Sequence, residues 1–511
     1  MKATSGGGSG PDPRRWSALA VCVSALSITL LDVSIVTVAL PSIGTGLDAD
    51  AAELQWVVSG YALAFGMVPI IGGRLGDDRG RKRMLMVGIG AFVVFSAMVG
   101  VAPTPGVVIV GRVLQGLAGG LINPQVSGLV QQLFPRPERG RAFGVIGAAV
   151  GIATAAGPVV GGVIIGLGGE TNGWRLCFLI NVPIGVVALV LCAWLLPTEP
   201  TGGGRRALDL PGAALLTVGV FGLLFPAVQY DASHDLRLAV LVVPALAVLA
   251  GFVAWERGPG RRRGHPLIDL DLFGIRSYAD GVVLALLFFI AYTGTPLVLV
   301  LFLQDGLGYS ALQSGLTASA YAVGTAVSAP IAGRLLRRAG QKVLVVALLL
   351  FTVGIASAAG VAALTAGTVA PGHVALFLAP ALLVAGLGGG AVMTPNQALS
   401  LAEVDVRGGS TAGGMLQTSQ RIGNAAGAAV MTAIFYAAAT GAAADGLRRQ
   451  EHYGSAYTAA LAFSVVVALA ALGVAIRDVR RRPIPTGTTV AAVPATVDAR
   501  DPAAVAAPPD R

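Results

Sequence analysis

The chain has 511 residues, of which 55% are hydrophobic and 12% charged, with 71 glycines and a formal net charge of +9. Soluble domains carry about 25% charged residues, so this composition excludes a water-soluble fold and makes lipid the solvent for most of the surface. The positive charge does not point to nucleic acid, because the basic residues gather in short loops between apolar runs, where the preference of Lys and Arg for the inner side of a membrane accounts for them.

A membrane crossing needs about 20 apolar residues. In chain order, fourteen stretches are candidates: 16–40, 52–73, 84–102, 107–131, 141–166, 176–196, 209–230, 237–256, 279–303, 311–334, 342–364, 372–398, 409–440 and 454–477. Pro226 and Pro244 interrupt the seventh and eighth. With the N-terminus placed inside, most of the 35 basic residues fall in inner loops, and the outer loops hold only Arg175, Arg237, Arg448 and Arg449. That asymmetry places both termini in the cytoplasm and favours an even number of spans. Residues 1–13 (Gly, Ser, Pro) and 483–511 (Pro, Ala, Thr, Val) have the composition of disordered tails. The basic, then amphipathic stretch 257–278 reads as an interfacial linker. Cys22, Cys177 and Cys192 lie in or beside apolar spans as small packing residues.

The first span carries Asp32 within LLDVSIVTVALP. A carboxylate at the centre of a membrane helix costs roughly 2.5–3.5 kcal/mol on insertion scales, so it marks a proton or cation site rather than an anchor. The second and third spans are joined by GRLGDDRGRKR, in which Gly73 and Gly80 permit a tight turn. Arg79, Arg81 and Lys82 hold that turn inside, and Asp77 is placed to pair with them or with a helix end. Gly333–Lys342 (GRLLRRAGQK) repeats this loop in weakened form without the acid, which implies an internal repeat.

The fourth span carries Arg112, Gln115 and Gly116 in GRVLQGLAGG. Arg112 lies about 8 Å and Asp32 about 12 Å from the outer ends of their spans at 1.5 Å per residue. The two are expected to face a shared cavity and couple, with a static ion pair as the alternative. In the fifth span Gly147, Gly151, Gly157, Gly161 and Gly162 clear one helix face for a neighbour, and Pro158 removes a backbone bond. Further candidates for cavity polar groups are Gln55, Gln115, Asn123, Asn181, Tyr292, Asn396 and Arg421, each of which could equally tie helices together. The four histidines form no metal cluster, and no Walker loop is present, so ATP is not expected to drive the protein directly.

These motifs resemble the major facilitator superfamily over nearly the whole chain. Gly73–Arg83 resembles its signature between the second and third helices, except that Asp78 stands where a basic residue is usual and Arg79 follows. GRVLQG resembles the motif with an intramembrane arginine, and GAAVGIATAAGPVVGG resembles the motif that marks antiport exporters. Trp174, Arg175, Phe178, Asn181, Pro183 and Gly185, together with LLDVSIVTVALP, resemble the fourteen-helix drug:proton antiporter family.

The resemblance implies an all-α polytopic membrane protein with two six-helix bundles and two extra central helices. The expected organisation is a tail 1–13, a bundle 14–200, two added helices 201–258, a cytoplasmic linker 259–278, a bundle 279–482 and a tail 483–511. The implied activity is export of amphipathic, often cationic, small molecules in exchange for protons across the cell membrane, by a monomeric chain without cofactor or nucleic acid. Export of a lipid or self-made metabolite, uptake by proton symport and a non-transporting sensor are the alternatives. No nucleophile–base or metal constellation supports an enzyme.

Overall fold

The computed structural model describes residues 14–169, 171–197, 209–233, 240–260, 267–268, 270–365, 368–444 and 449–481. Both expected tails, residues 201–208 and part of the expected linker lie outside these residues.

The described chain is built from sixteen α-helices: α1 (Arg15–Leu47), α2 (Ala51–Met67), α3 (Pro69–Arg79), α4 (Arg81–Gly100), α5 (Pro105–Leu133), α6 (Arg136–Gly168), α7 (Gly173–Leu179), α8 (Asn181–Leu195), α9 (Leu210–Ser233), α10 (Val242–Trp255), α11 (Arg276–Leu301), α12 (Ala311–Ala339), α13 (Lys342–Thr365), α14 (Pro371–Ser400), α15 (Gly409–Ala444) and α16 (Arg449–Arg481). In their described residues, all fourteen apolar stretches lie largely on helix. By length and composition, nine described helices suffice to cross a membrane, or ten when the bent pair α2–α3 counts as one crossing. α10, at 14 residues, is shorter than the about 20 that a perpendicular crossing requires. The 47° bend between α2 and α3 falls where Pro69 supplies no backbone N–H.

Helices α1–α8 pack on one another, α11–α16 do likewise, and α9 pairs with α10 while lying against α2 and α15. The two groups meet through α6 on α12 and α14, and through α3 and α5 on α15. Local structure repeats between them. α2 begins with a capping box in which the Glu53 N–H donates to Asp50 at 2.8 Å and the Asp50 N–H to Glu53 at 3.0 Å. α12 begins with the same device made from Ser310 and Gln313. α3 and α12 both stop at a glycine with positive φ, Gly80 at 96° and Gly340 at 56°, a conformation that suits residues without a Cβ. The two related loops of the sequence therefore close two related helices.

Polarity is inverted relative to a soluble protein. Large apolar side chains are exposed along the helices, among them Val94 (62%), Trp194 (76%) and Leu364 (78%), while Asp32 and Arg112 are each 1% exposed. The three cysteines are buried and unbridged.

Candidate functional site

Asp32 sits at the middle of α1, because that helix continues past Leu40 and through Pro41 to Leu47. The depth derived from a span ending at residue 40 therefore understates how far from the helix end the carboxylate lies. Arg112 of α5 donates from Nη1 to Asp32 Oδ2, from Nη1 to Gln115 Oε1 at 3.0 Å, and from Nε to the Val57 carbonyl of α2 at 3.1 Å. Asn181, the first residue of α8, donates to Asp32 Oδ1 at 2.9 Å. Gln115 Nε2 donates to the Ser96 hydroxyl of α4 at 2.6 Å. Five helices thus converge on one ion pair whose polar atoms are satisfied, the condition under which a buried pair is tolerated.

Aromatic rings cover this cluster. The Arg112 guanidinium lies 4.2 Å from the Tyr61 ring centroid and 5.6 Å from that of Phe178. Tyr61 stacks on Phe65 at 5.8 Å, and the Arg421 guanidinium lies 4.3 Å from the Phe65 ring on its way to the cavity. The close approach of α5 to these rings depends on Gly119, where an added Cβ would stand 2.9 Å from Phe65 and 3.1 Å from the Tyr61 hydroxyl.

A cavity of about 310 Å³ lies between the two helix groups. Its wall includes Phe143, Phe289 and Tyr292, the amides of Asn123, Gln397, Gln417 and Gln420, and Arg421 with Asn424. The Ser127 hydroxyl of α5 accepts from Gln397 of α14 at 3.0 Å and from Gln417 of α15 at 3.2 Å, a bridge that ties both groups together at the cavity wall. Asp32 and Arg112 are not among the residues that line this space, contrary to the shared cavity expected from their depth: the Tyr61–Phe65 stack lies between Arg112 and Arg421, which is on the wall. Of the polar candidates, Asn123, Tyr292 and Arg421 are on the wall. Gln115 and Asn181 belong instead to the Asp32 cluster, Asn396 is buried and donates to the Gly281 carbonyl at 3.4 Å, and Gln55 lies in the first turns of α2. Ser96, Tyr61 and Ser127 are polar members that sequence reading did not single out. One hydroxyl in an apolar helix has no signature until its partner is known.

The Gly73–Arg83 segment forms the end of α3 and the start of α4. Asp77 reaches across to the other helix group and accepts from the N-terminus of α15: Ser410 N–H at 3.1 Å, Thr411 N–H at 2.8 Å and the Thr411 hydroxyl at 2.8 Å. These amides are unpaired within their own helix and carry the positive end of its dipole, so a carboxylate suits them. Arg81 donates to Asp77 at 2.9 Å, to the Gly128 carbonyl at 2.8 Å and to the Val406 carbonyl. Lys82 donates to the Ala193 and Leu196 carbonyls at the end of α8, at 2.8 and 2.7 Å. Asp78 pairs with Arg74 one turn back at 3.0 Å, and Arg79, expected among the holding charges, is exposed.

The α6 glycines serve two contacts rather than one face. Cβ atoms at Gly147 and Gly151 would meet Ala329 and Ala326 of α12 at 3.1 Å, so this end of α6 faces the other helix group. Gly157 packs on Ser34 and Gly161 on Ile35, both on α1, whereas Gly162 faces open space. The side chain of Pro158 lies outside the described residues. The contacts between the groups gather at the end bearing the arginine-rich loops, at Asp77–Ser410, Gly140–Gly333 and Gln131–Gly409. The arrangement is closed at that end.

The sequence model of the Major Facilitator Superfamily matches residues 22–428 and, in an overlapping second match, 281–501. The chain is 38% identical over 452 residues to a protein of Streptomyces coelicolor named a probable actinorhodin transporter, covering 87% of this chain and 77% of the relative. It is 34% identical over 472 residues to a puromycin resistance protein of Streptomyces alboniger, covering 90% of each. A tetracenomycin C resistance and export protein of Streptomyces glaucescens is 32% identical over 83% of this chain and 76% of its own. Among solved structures, a human organic anion transporter superposes with a TM-score of 0.62 over 89% of this chain and all of its own, at 16% identity. A proton:xylose symporter gives 0.60 over 90% and 95%, also at 16% identity. Those two likenesses concern the fold, and together with the sequence matches they establish that this chain is a multi-pass membrane protein and secondary transporter belonging to the Major Facilitator Superfamily.

Proposed function

We propose that the protein is a proton-coupled exporter of the fourteen-helix drug:proton antiporter family, carrying amphipathic drugs, antibiotics or related aromatic molecules out across the cell membrane. The observation that carries this reading is the buried Asp32–Arg112 pair. Removing one partner of such a pair costs about 3–5 kcal/mol, so protonation of Asp32 releases Arg112 to its remaining acceptors, Val57 O and Gln115 Oε1. The Tyr61–Phe65 stack between Arg112 and Arg421 carries that displacement toward the cavity wall.

The arginine-rich end faces the cytoplasm in this reading, and the closed arrangement there is the outward-facing state. Asp77 on the α15 N-terminus, Ser127 between two glutamines, and the α6–α12 glycine contact hold it shut. Releasing them opens the cavity inward for substrate. The names of the Streptomyces relatives favour an antibiotic-like molecule as cargo.

Export is tested in inside-out vesicles from cells overproducing the protein. An imposed proton gradient, acid inside, should drive accumulation of a fluorescent aromatic dye, and a protonophore should abolish it. Accumulation that ignores the gradient would remove proton coupling, and gradient-driven loss of dye from the vesicles would reverse the direction.

A further inference from the structure

The wall of the cavity carries Arg421. Among the described residues that line it, none is Asp or Glu, and Arg421 is the charged member. Asp32 cannot serve as the missing carboxylate, because its oxygens are taken by Arg112 and Asn181. Arg421 rests on the face of Phe65, and among the described residues no carboxylate pairs with it. A guanidinium in a low-dielectric interior is costly until an anion meets it.

One turn further along α15, the Thr293 hydroxyl donates to Asn424 Oδ1. The Asn424 amide NH2 is therefore left without a partner among the described residues, beside the guanidinium. Gln420, on the same wall, adds a second amide without a partner among the described residues. Facing them are Phe289 and Tyr292, whose rings lie 5.8 Å apart edge to face.

We propose that Arg421 and Asn424 form an anion subsite, and that the cargo is an aromatic amphiphile bearing a carboxylate, sulfonate or phenolate rather than an organic cation. The inference rests on the cavity being the transport site, as the export reading has it. Its chemistry is a charge-assisted contact from a permanently charged side chain at one end of the ligand, and ring stacking at the other.

The test uses the purified full-length protein in lipid nanodiscs, with no gradient. N-phenyl-1-naphthylamine is uncharged, and 8-anilinonaphthalene-1-sulfonate is the same skeleton with a sulfonate. Arg421→Gln should weaken binding of the sulfonate about tenfold and leave the neutral probe within about twofold of wild type, whereas Arg421→Lys should retain most of the sulfonate affinity. Equal loss of both probes in a folded Arg421→Gln protein, or no loss of either, would overturn the subsite. Should that variant not fold, the wild type decides: naphthalene-1-sulfonate must displace the neutral probe better than (1-naphthylmethyl)ammonium, and the opposite order refutes the proposal. The two readings fail separately. A protein that binds the sulfonate and moves nothing in vesicles loses the export reading, and one that exports cations but not sulfonates loses the anion subsite.

Discussion

Replacing Asp77 with alanine removes three contacts from one helix group to the other, at 3.1, 2.8 and 2.8 Å, all at the α15 N-terminus. Hydrogen bonds to a charged group contribute about 1.5–3 kcal/mol each in mutational series. Water replaces the carboxylate when the end opens, so the expected net loss is smaller than the sum, about 2 kcal/mol, in line with the loss of a helix cap. That is about 30-fold in the closed-to-open ratio. A protein that is ~97% closed at the arginine-rich end becomes roughly half open. Arg81 keeps its bonds to Gly128 and Val406, so the fold itself should persist. The assay is electron–electron spin distance between nitroxides on Arg83→Cys and Arg338→Cys, both exposed and on opposite helix groups, with the buried native cysteines left in place. Asp77→Ala should add a longer distance to the distribution. Asp78→Ala should not, because among the described residues Asp78 pairs only within its own helix, with Arg74. An unchanged distribution for Asp77→Ala, or the same change for both variants, would refute the reasoning.

Asp32→Asn leaves the Arg112 charge buried without its counter-ion; gradient-driven dye transport in proteoliposomes should cease while dye exchange without a gradient continues, and thermal unfolding should show a loss of about 3–5 kcal/mol. Gly151→Leu forces a side chain into Ala326 where a Cβ already stands at 3.1 Å, an overpacking cost of about 1–3 kcal/mol that should favour the open inner end, while Gly162→Ala, which meets nothing within 4 Å, should transport at the wild-type rate. Ser127→Ala removes the shared acceptor of Gln397 and Gln417 and should raise alkylation of an inner-cavity cysteine such as Met393→Cys; an unaltered labelling rate would mean that this bridge does not hold the closed state.

Much of the molecule follows from local sequence. Apolar runs separated by arginine-bearing loops are enough to define the helices, because a lipid solvent leaves a spanning chain no alternative to internal hydrogen bonding. The capping pairs Asp50–Glu53 and Ser310–Gln313, and the glycines at 80 and 340, set helix ends by contacts within a few residues. An isolated acid and an isolated arginine in such runs announce a charged interior site for the same reason: their solvation cost makes an unpaired placement untenable.

What each side chain meets was decided only by tertiary packing. Asn181 and Gln115 read equally well as cavity residues, and packing turned Asn181 onto Asp32 and Gln115 onto Arg112 and Ser96. The glycines of α6 form one motif in sequence, but the helix crosses α12 with its first half and α1 with its second, so Gly147 and Gly151 face the other helix group while Gly157 and Gly161 do not. Asp77 is an acid in a basic loop until α15 arrives with its unpaired amides. Sequence specifies helices through contacts a few residues apart, whereas the pairing of charges 80 or more residues apart depends on which helix faces are brought together, and that is settled by packing between helices.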